Sequence, residues 1–301
     1  MSLSLKTKIC SKLTNLYLKT KYDGLYEKDL FIRKKYSNNK GMRVIVSLTS
    51  FSKRLANLHI VIKSLLSQTY SPDLIVLYLG DDVDETNVPD SLKNLEKYKF
   101  KIVYGCENLK PHKKYFFAMQ EYSDDIIITV DDDAVYDKNL VRDLMKTHLK
   151  NPGSIVARRV NRILFDEYGN INPYNDWLIE DLSIRNSRPS FDLIATGVGG
   201  VLYPPHLINK ILFDKSAIIK TSLLADDLWL KYVELISHVP VVRTSGLISH
   251  PFVFEDSDNT GLAKENVLNS NNDRTILKIE EYFGKTMKQL INECEETVCN
   301  R

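Results

Sequence analysis

Residues Ile126-Ile127-Ile128-Thr129-Val130 form a short run rich in β-branched side chains, and Asp131, Asp132 and Asp133 follow with nothing between them. A run this apolar predicts a buried strand, central and parallel, because a strand covered on both faces needs apolar residues at successive positions. Ligands of open α/β sheets bind just beyond the carboxyl ends of the strands, so the three acids are predicted to stand where chemistry is done. Adjacent carboxylates repel one another unless solvent or a cation neutralises them. Mg²⁺ and Mn²⁺ are hard cations that take oxygen ligands and bridge a carboxylate to a phosphate. In extended backbone Asp131 and Asp133 point to one side and Asp132 to the other, so two acids are expected to face one metal. The alternative is a solvated acidic turn capping the next helix.

The segments around this strand alternate in type. Arg43 to Thr49 predicts a first strand, and Thr49 to Arg54 a polar loop after it. Leu55, Leu58, Ile62, Leu65 and Leu66 recur at helical spacing up to about Ser67, where Ser71-Pro72-Asp73 breaks the pattern. Leu74 to Leu79 predicts a second strand and Phe100 to Tyr104 a third. A basic segment, Lys110 to Lys114, precedes a helix through Phe117 and Met119. Such alternation implies parallel βαβ units. The fold class expected is α/β, a three-layer α/β/α sandwich on a mostly parallel mixed sheet with a Rossmann-like nucleotide-binding half. The later half is less regular: strand candidates at Ile155 to Ala157 and Val241 to Arg243, a polar and aromatic excursion from Asn161 to Ser190, and a glycine-rich Gly197 to Gly200. Glycine has no Cβ, so that last segment lets backbone approach a bound ligand closely; a tight turn is the plainer reading. Trp177 and Trp229 offer an apolar face for a ligand ring or, more plainly, core packing. Asp226 and Asp227 open a helix, where acids complement the helix dipole. Three regions are expected: a basic N-terminal helical segment over 1–40, one catalytic-type domain over 41–255, and a mobile loop with C-terminal helices over 256–301.

Composition limits the partners. The net charge of +2 is close to neutral for 301 residues, so a nucleic-acid partner is not expected. Lys and Arg are nonetheless concentrated in the first 40 residues, which suits either a solvated helix or a peripheral contact of residues 1–35 with an anionic membrane surface. There is no apolar run of about 18 residues and no apolar core of a signal peptide. Cys10, Cys106, Cys294 and Cys299 are scattered, and a reducing cytoplasm is the expected compartment, at most peripheral to the inner face of the membrane.

Taken in order, Ser64-Leu65-Leu66-Ser67-Gln68-Thr69-Tyr70, Val130 to Asp133, Gly197 to Gly200 and Ala225 to Trp229 resemble glycosyltransferase family 2 of the GT-A fold. The first segment is similar to the family's "SLLxQTY" helix end and the second to its DxD motif. The fourth sits where the family keeps its catalytic acids. One departure is Leu79-Gly80-Asp81-Asp82, where many members carry Asp-Asp-Gly-Ser after the second strand. The resemblance implies an enzyme that moves a sugar from a nucleotide-diphosphate sugar to a saccharide or lipid-linked saccharide acceptor, inverting, in bacterial surface polysaccharide synthesis. It implies Mn²⁺ or Mg²⁺ held by Asp133 directly and by Asp131 directly or through water, with Asp132 facing the ribose or donor sugar. Thr49 and Arg54 stand where such folds touch base and ribose, and Lys113 and Lys114 are placed to add charge near the phosphates. An inverting transfer needs a base for the acceptor hydroxyl; Asp227 is the candidate, with Asp226 as its partner. His250, held extended by Pro251, is the candidate third metal ligand, since neutral imidazole binds Mn²⁺. Competing readings are a nucleotidyltransferase or metal-dependent phosphoryl hydrolase, which also place acids after a parallel strand, and a non-catalytic saccharide- or nucleotide-binding protein of the same fold.

Overall fold

The fold comes from a computed structural model, which describes residues 17, 20–22, 41–178, 188–245, 252–253 and 271–299. Strand β1 (Val44–Ser50) shows why two helical layers are needed. Val44, Val46 and Leu48 pack in one apolar cluster with Leu58, Ile62 and Leu65 of α1 (Leu55–Leu66), while Ile45 turns to the opposite face with Tyr78, Ala118 and Ile127. Successive side chains of a strand leave on opposite faces, and both faces here are apolar.

β2 (Leu74–Gly80) and β3 (Phe100–Cys106) extend the sheet to one side of β1, all parallel, and β4 (Ile126–Thr129) pairs with β1 in parallel on the other. β6 (Ile155–Ala157), β9 (Val201–Tyr203) and β10 (Val241–Arg243) complete seven strands in the order β10-β6-β9-β4-β1-β2-β3, while β7 (Val160–Arg162) and β8 (Leu193–Ala195) pair antiparallel in a separate ribbon. β9 runs antiparallel to both β4 and β6. The Ile126 strand is therefore central, with three strands on each side. The α/β class and the mostly parallel mixed sheet expected from the sequence are what the chain adopts.

Two sets of helices cover the sheet. α3 (Leu140–His148) joins α1 on one face through Leu140, Val141 and Leu144. On the other face lie α2 (Lys113–Phe116), α4 (Lys215–Thr221) and α5 (Asp226–Ile236), with Tyr115, Ile218, Trp229 and Val233 in one cluster with Ile155 and Val201. The outer side of α5 is covered in turn by α6 (Asn271–Phe283) and α7 (Met287–Cys299), whose Ile276, Ile279, Leu290 and Ile291 meet Leu228, Tyr232 and Leu235. Trp177 and Trp229 are both in the core, with indole N–H groups donating to the carbonyls of Asn172 and Leu212 at 3.1 Å each; neither offers a face to a sugar.

The Ser64 to Tyr70 segment has a structural task. The Ser64 hydroxyl accepts from the Tyr136 N–H at 3.3 Å, and Gln68 donates to the Asp137 carbonyl at 2.8 Å while accepting from the Val141 N–H at 3.1 Å. The Thr69 N–H and hydroxyl both donate to the Lys138 carbonyl. The end of α1 thus fixes the chain just past the acidic triad. There β5 (Ala134–Val135) pairs antiparallel with β11 (Phe252–Val253), bringing the later chain back to the triad. The basic segment over 1–40 falls almost wholly outside the described residues, as does the loop expected from residue 256. Among the described residues no helix is long and apolar enough to cross a membrane.

Candidate active site

Strand geometry ends at Thr129, and this decides where the triad points. The Val130 N–H still donates to the Ser47 carbonyl, but the Asp131 N–H donates to the buried Tyr136 hydroxyl at 2.9 Å, and the chain turns through Asp132 and Asp133. The alternation expected of extended backbone therefore gives way. Asp131 meets Lys114, whereas Asp132 and Asp133 share a single guanidinium. Arg54 Nη1 lies 2.6 Å from Asp132 and 3.0 Å from Asp133, and the Ser50 hydroxyl donates to Asp132 at 2.6 Å.

Lys114 joins this turn to the start of α5. Its side chain is 5 % exposed, and its ammonium lies 2.8 Å from Asp131 and 2.9 Å from Asp226. Asp227, next along, accepts from the Gly197 N–H through both carboxylate oxygens at 3.2 Å each. Gly197 itself sits against the cluster: a Cβ there would fall 2.7 Å from Lys114 Nζ and 3.0 Å from Asp131 Oδ1. The close approach that glycine permits is thus to the protein's own charged groups, in a buried tight turn (Gly197–Gly199). Gly197→Ala is expected to displace Lys114 from its two acids, cutting turnover by up to about 10²-fold, which a misplacement of about 1 Å can cost, with only a modest fall in melting temperature. Wild-type turnover in that variant would show that the cluster tolerates a shift.

Among the described residues, two cations, Arg54 and Lys114, touch four carboxylates (Asp131, Asp132, Asp133, Asp226), and a fifth, Asp227, stands beside them on the Gly197 N–H. The excess negative charge shows in proton affinities. Burial, then the neighbouring Asp131, pushes Asp133 up to about 7 against the pull of Arg54. Burial, then Asp226, pushes Asp227 up to about 8, against Lys114 and the Gly197 N–H. Burial also raises Asp132. Asp226 goes the other way: burial opposes its ionisation, but the Lys114 ammonium prevails and holds it below the usual carboxylate range. Lys114 is likewise held charged, well above the ordinary lysine range, by Asp131, Asp226 and Asp227 in spite of burial. Groups that hold their protons near neutrality beside a charged pair make this cluster a candidate functional site.

This excess charge and these all-oxygen donors fit a hard divalent cation. A preformed cage is a different matter: among the described residues no three His, Cys, Asp or Glu side chains are grouped to hold a metal. A cation here would rest on Asp131 and Asp133 and on oxygens brought by a ligand. His250 lies outside the described residues.

The remaining candidates divide. The Thr49 hydroxyl, at the end of β1, donates to the Tyr78 carbonyl at 2.7 Å. Lys113 turns away from the triad and donates to the Asn108 side chain at 3.1 Å beside Gly80, near the ends of β2 and β3. His112 is structural: fully buried, its ring nitrogens meet the Tyr115 hydroxyl and the Ser222 carbonyl, and burial lowers it to about 4. Ser50, Tyr136 and Tyr174 escape a reading of the sequence. Tyr174 is buried near Asp227, which together with burial holds its phenol protonated. Nothing in the spacing of a tyrosine or serine distinguishes such a position.

The sequence profile of glycosyl transferase family 2 matches residues 48–200, half of the 301 residues, a stretch that holds the end of β1, the triad and Gly197. The chain belongs to glycosyl transferase family 2. The matched stretch of this family-2 protein stops short of Asp226 and Asp227. No curated protein matches the chain. Among solved structures, the family-2 chain is similar to a mannosyltransferase from Pyrobaculum calidifontis in complex with GDP-Man and Mn²⁺, at 9 % identity over 79 % of this chain and 63 % of that one, with a TM-score of 0.44. It is similar to GalNAc-T7 with UDP, GalNAc and Mn²⁺ at 10 % identity, over 81 % of this chain and 52 % of that one, TM-score 0.48. A 4-diphosphocytidyl-2C-methyl-D-erythritol synthase from Anaerococcus prevotii matches at 16 % identity, over 75 % of this chain and 100 % of that one, TM-score 0.46. This chain therefore spans under two thirds of the first two structures, and likenesses at these TM-scores carry no argument about chemistry.

Proposed function

We propose that this family-2 protein transfers a sugar from a nucleoside-diphosphate sugar to a saccharide or lipid-linked saccharide acceptor, with inversion at the anomeric carbon, in bacterial surface polysaccharide synthesis. The observation that carries the reading is one ammonium, Lys114, with Asp131 of the triad on one side and Asp226 on the other, and Asp227 beside them on Gly197. A single displacement needs a charged donor site and a base for the acceptor within one cleft, and the two acidic groups supply these. Asp131 and Asp133 would hold Mn²⁺ or Mg²⁺. Bound there, the cation would offset the negative charge that gathers on the departing diphosphate. Asp227 takes the proton of the acceptor hydroxyl, and its raised proton affinity, about 8, suits a base working near neutral pH. Asp226 stays ionised against Lys114 and strengthens that base by its charge. Asp132 faces the ribose or donor sugar, Thr49 the base and ribose, Arg54 reaches the donor from beside the triad, and Lys113 lends charge from the end of β2. The basic residues 1–35 rest on the inner membrane surface where a lipid-linked acceptor would be met.

Asp133→Asn is the test of the metal clause. The change is close to isosteric, so the fold should persist. Nearly all transfer is expected to disappear, and nucleotide-diphosphate binding in Mn²⁺ to weaken. Near wild-type turnover in the variant, or full wild-type activity in excess chelator, would refute the assignment.

A further inference from the structure

Every acid of the triad already faces a cation of the protein's own. Lys114 holds Asp131, and one nitrogen of Arg54 serves both Asp132 and Asp133. The two cations are not held equally. Lys114 is almost wholly buried and bridges acids on two separate elements. Arg54 ends a single turn (Ser52–Arg54) with no side-chain cap, and its guanidinium lies over the Phe51 ring at 5.3 Å. Its Nε is buried without a hydrogen-bond partner among the described residues, so its present seat is incompletely satisfied. A guanidinium does not lose its proton in a protein. Arg54 can therefore free Asp133 only by moving, and until it moves it repels any second cation on that carboxylate.

We propose that Arg54 is a positioning residue acting through Asp133: its guanidinium occupies the carboxylates that a divalent cation needs, so the free protein binds that cation weakly until a diphosphate draws Arg54 away. The proposal rests on the metal site given above. A diphosphate offers oxygens to the cation and, at the same time, a planar anionic partner to the guanidinium, with which arginine pairs well. Cation and donor binding then become interdependent, and the acids do not gather a stray cation before a donor arrives.

The test uses the full chain and Mn²⁺ alone, without nucleotide, followed by calorimetry and by the electron paramagnetic resonance of free Mn²⁺. Arg54→Gln is expected to bind Mn²⁺ about tenfold tighter than wild type or better, the direction that removing a nearby positive charge requires. Adding Asp133→Asn to that variant should abolish the gain. Loss of packing would weaken binding, so tightening is not an effect that structural damage mimics. Equal or weaker Mn²⁺ binding by Arg54→Gln overturns the proposal. If Arg54→Gln has no cooperative melting transition, Arg54→Met, which removes the charge and keeps much of the side-chain length, should show a gain of the same sign; no gain there also overturns it. Wild-type Mn²⁺ binding through Asp133 without tightening in Arg54→Gln would remove only the role of Arg54. No Mn²⁺ site in wild type or in either variant would remove the metal site as well.

Discussion

Asp227→Asn is expected to lower turnover by about 10²–10⁴-fold, the usual worth of a general base, while leaving donor affinity nearly unchanged. The amide keeps the shape of the side chain and one acceptor oxygen for the Gly197 N–H, so the loss isolates the proton transfer from the fold. The pH dependence adds a second reading. The folded carboxyl titrates at about 8, far above the ordinary aspartate value of about 4. In wild type, kcat/KM should rise with pH through that region, because only the ionised carboxylate accepts a proton, and the rise should be absent in Asp227→Asn. Stability moves the opposite way. Between the two values the unfolded chain has released this proton and the folded one has not, so the contribution of Asp227 to stability falls as pH rises toward 8. Asp227→Asn should therefore gain in melting temperature relative to wild type as pH rises from about 4 to about 8. An unchanged rate for Asp227→Asn with a collapse for Asp226→Asn would transfer the role to the neighbour, and activity in both would reduce the pair to caps of α5.

Lys114→Met should be the most damaging single change to the fold. It leaves Asp131 and Asp226 without their shared cation, one of them buried. Removing one partner of a buried ion pair costs about 3–5 kcal/mol, because the remaining charge is left uncompensated. Denaturant unfolding near neutral pH should show a loss of that order, and transfer should be lost with it. The double variant Lys114→Met/Asp226→Asn should recover part of the stability, since the buried charge is gone, and none of the activity. Stability of Lys114→Met within about 1 kcal/mol of wild type would put the pair in the range of solvated surface bridges and remove Lys114 from the centre of the site.

Much of this was legible in the chain. Ile126 to Ile128 is apolar at every position because β4 is covered on both faces and has a strand on each side. The strands expected at Arg43 to Thr49 and Leu74 to Leu79, which form as Val44–Ser50 and Leu74–Gly80, could be read from their apolar runs in the same way. The acids at Asp131 to Asp133 and Asp226-Asp227 stood out because charge beside an apolar run needs a cause. Other features lacked a local signal. β6, β9 and β10 are three residues each, too short for periodicity to reveal that β9 reverses direction. Lys113 and Lys114 are neighbours on one short helix, and about 100° of helical rotation sends one to Asn108 and the other to the acids. Gln68 sits in a segment that marks the family, yet it acts by hydrogen bonds to residues some 70 positions on, a partner that only the folded chain supplies. The alternation of Asp131, Asp132 and Asp133 failed because Tyr136 takes the Asp131 N–H and ends the strand.

The most direct test of the account is to incubate the full chain with a panel of nucleoside-diphosphate sugars in Mn²⁺ without acceptor and to measure free nucleotide. One donor should be hydrolysed slowly, with release abolished by chelator and by Asp133→Asn. No release from any donor, with pyrophosphate formed instead from a nucleoside triphosphate and a sugar phosphate, would contradict the account and make the protein a nucleotidyltransferase.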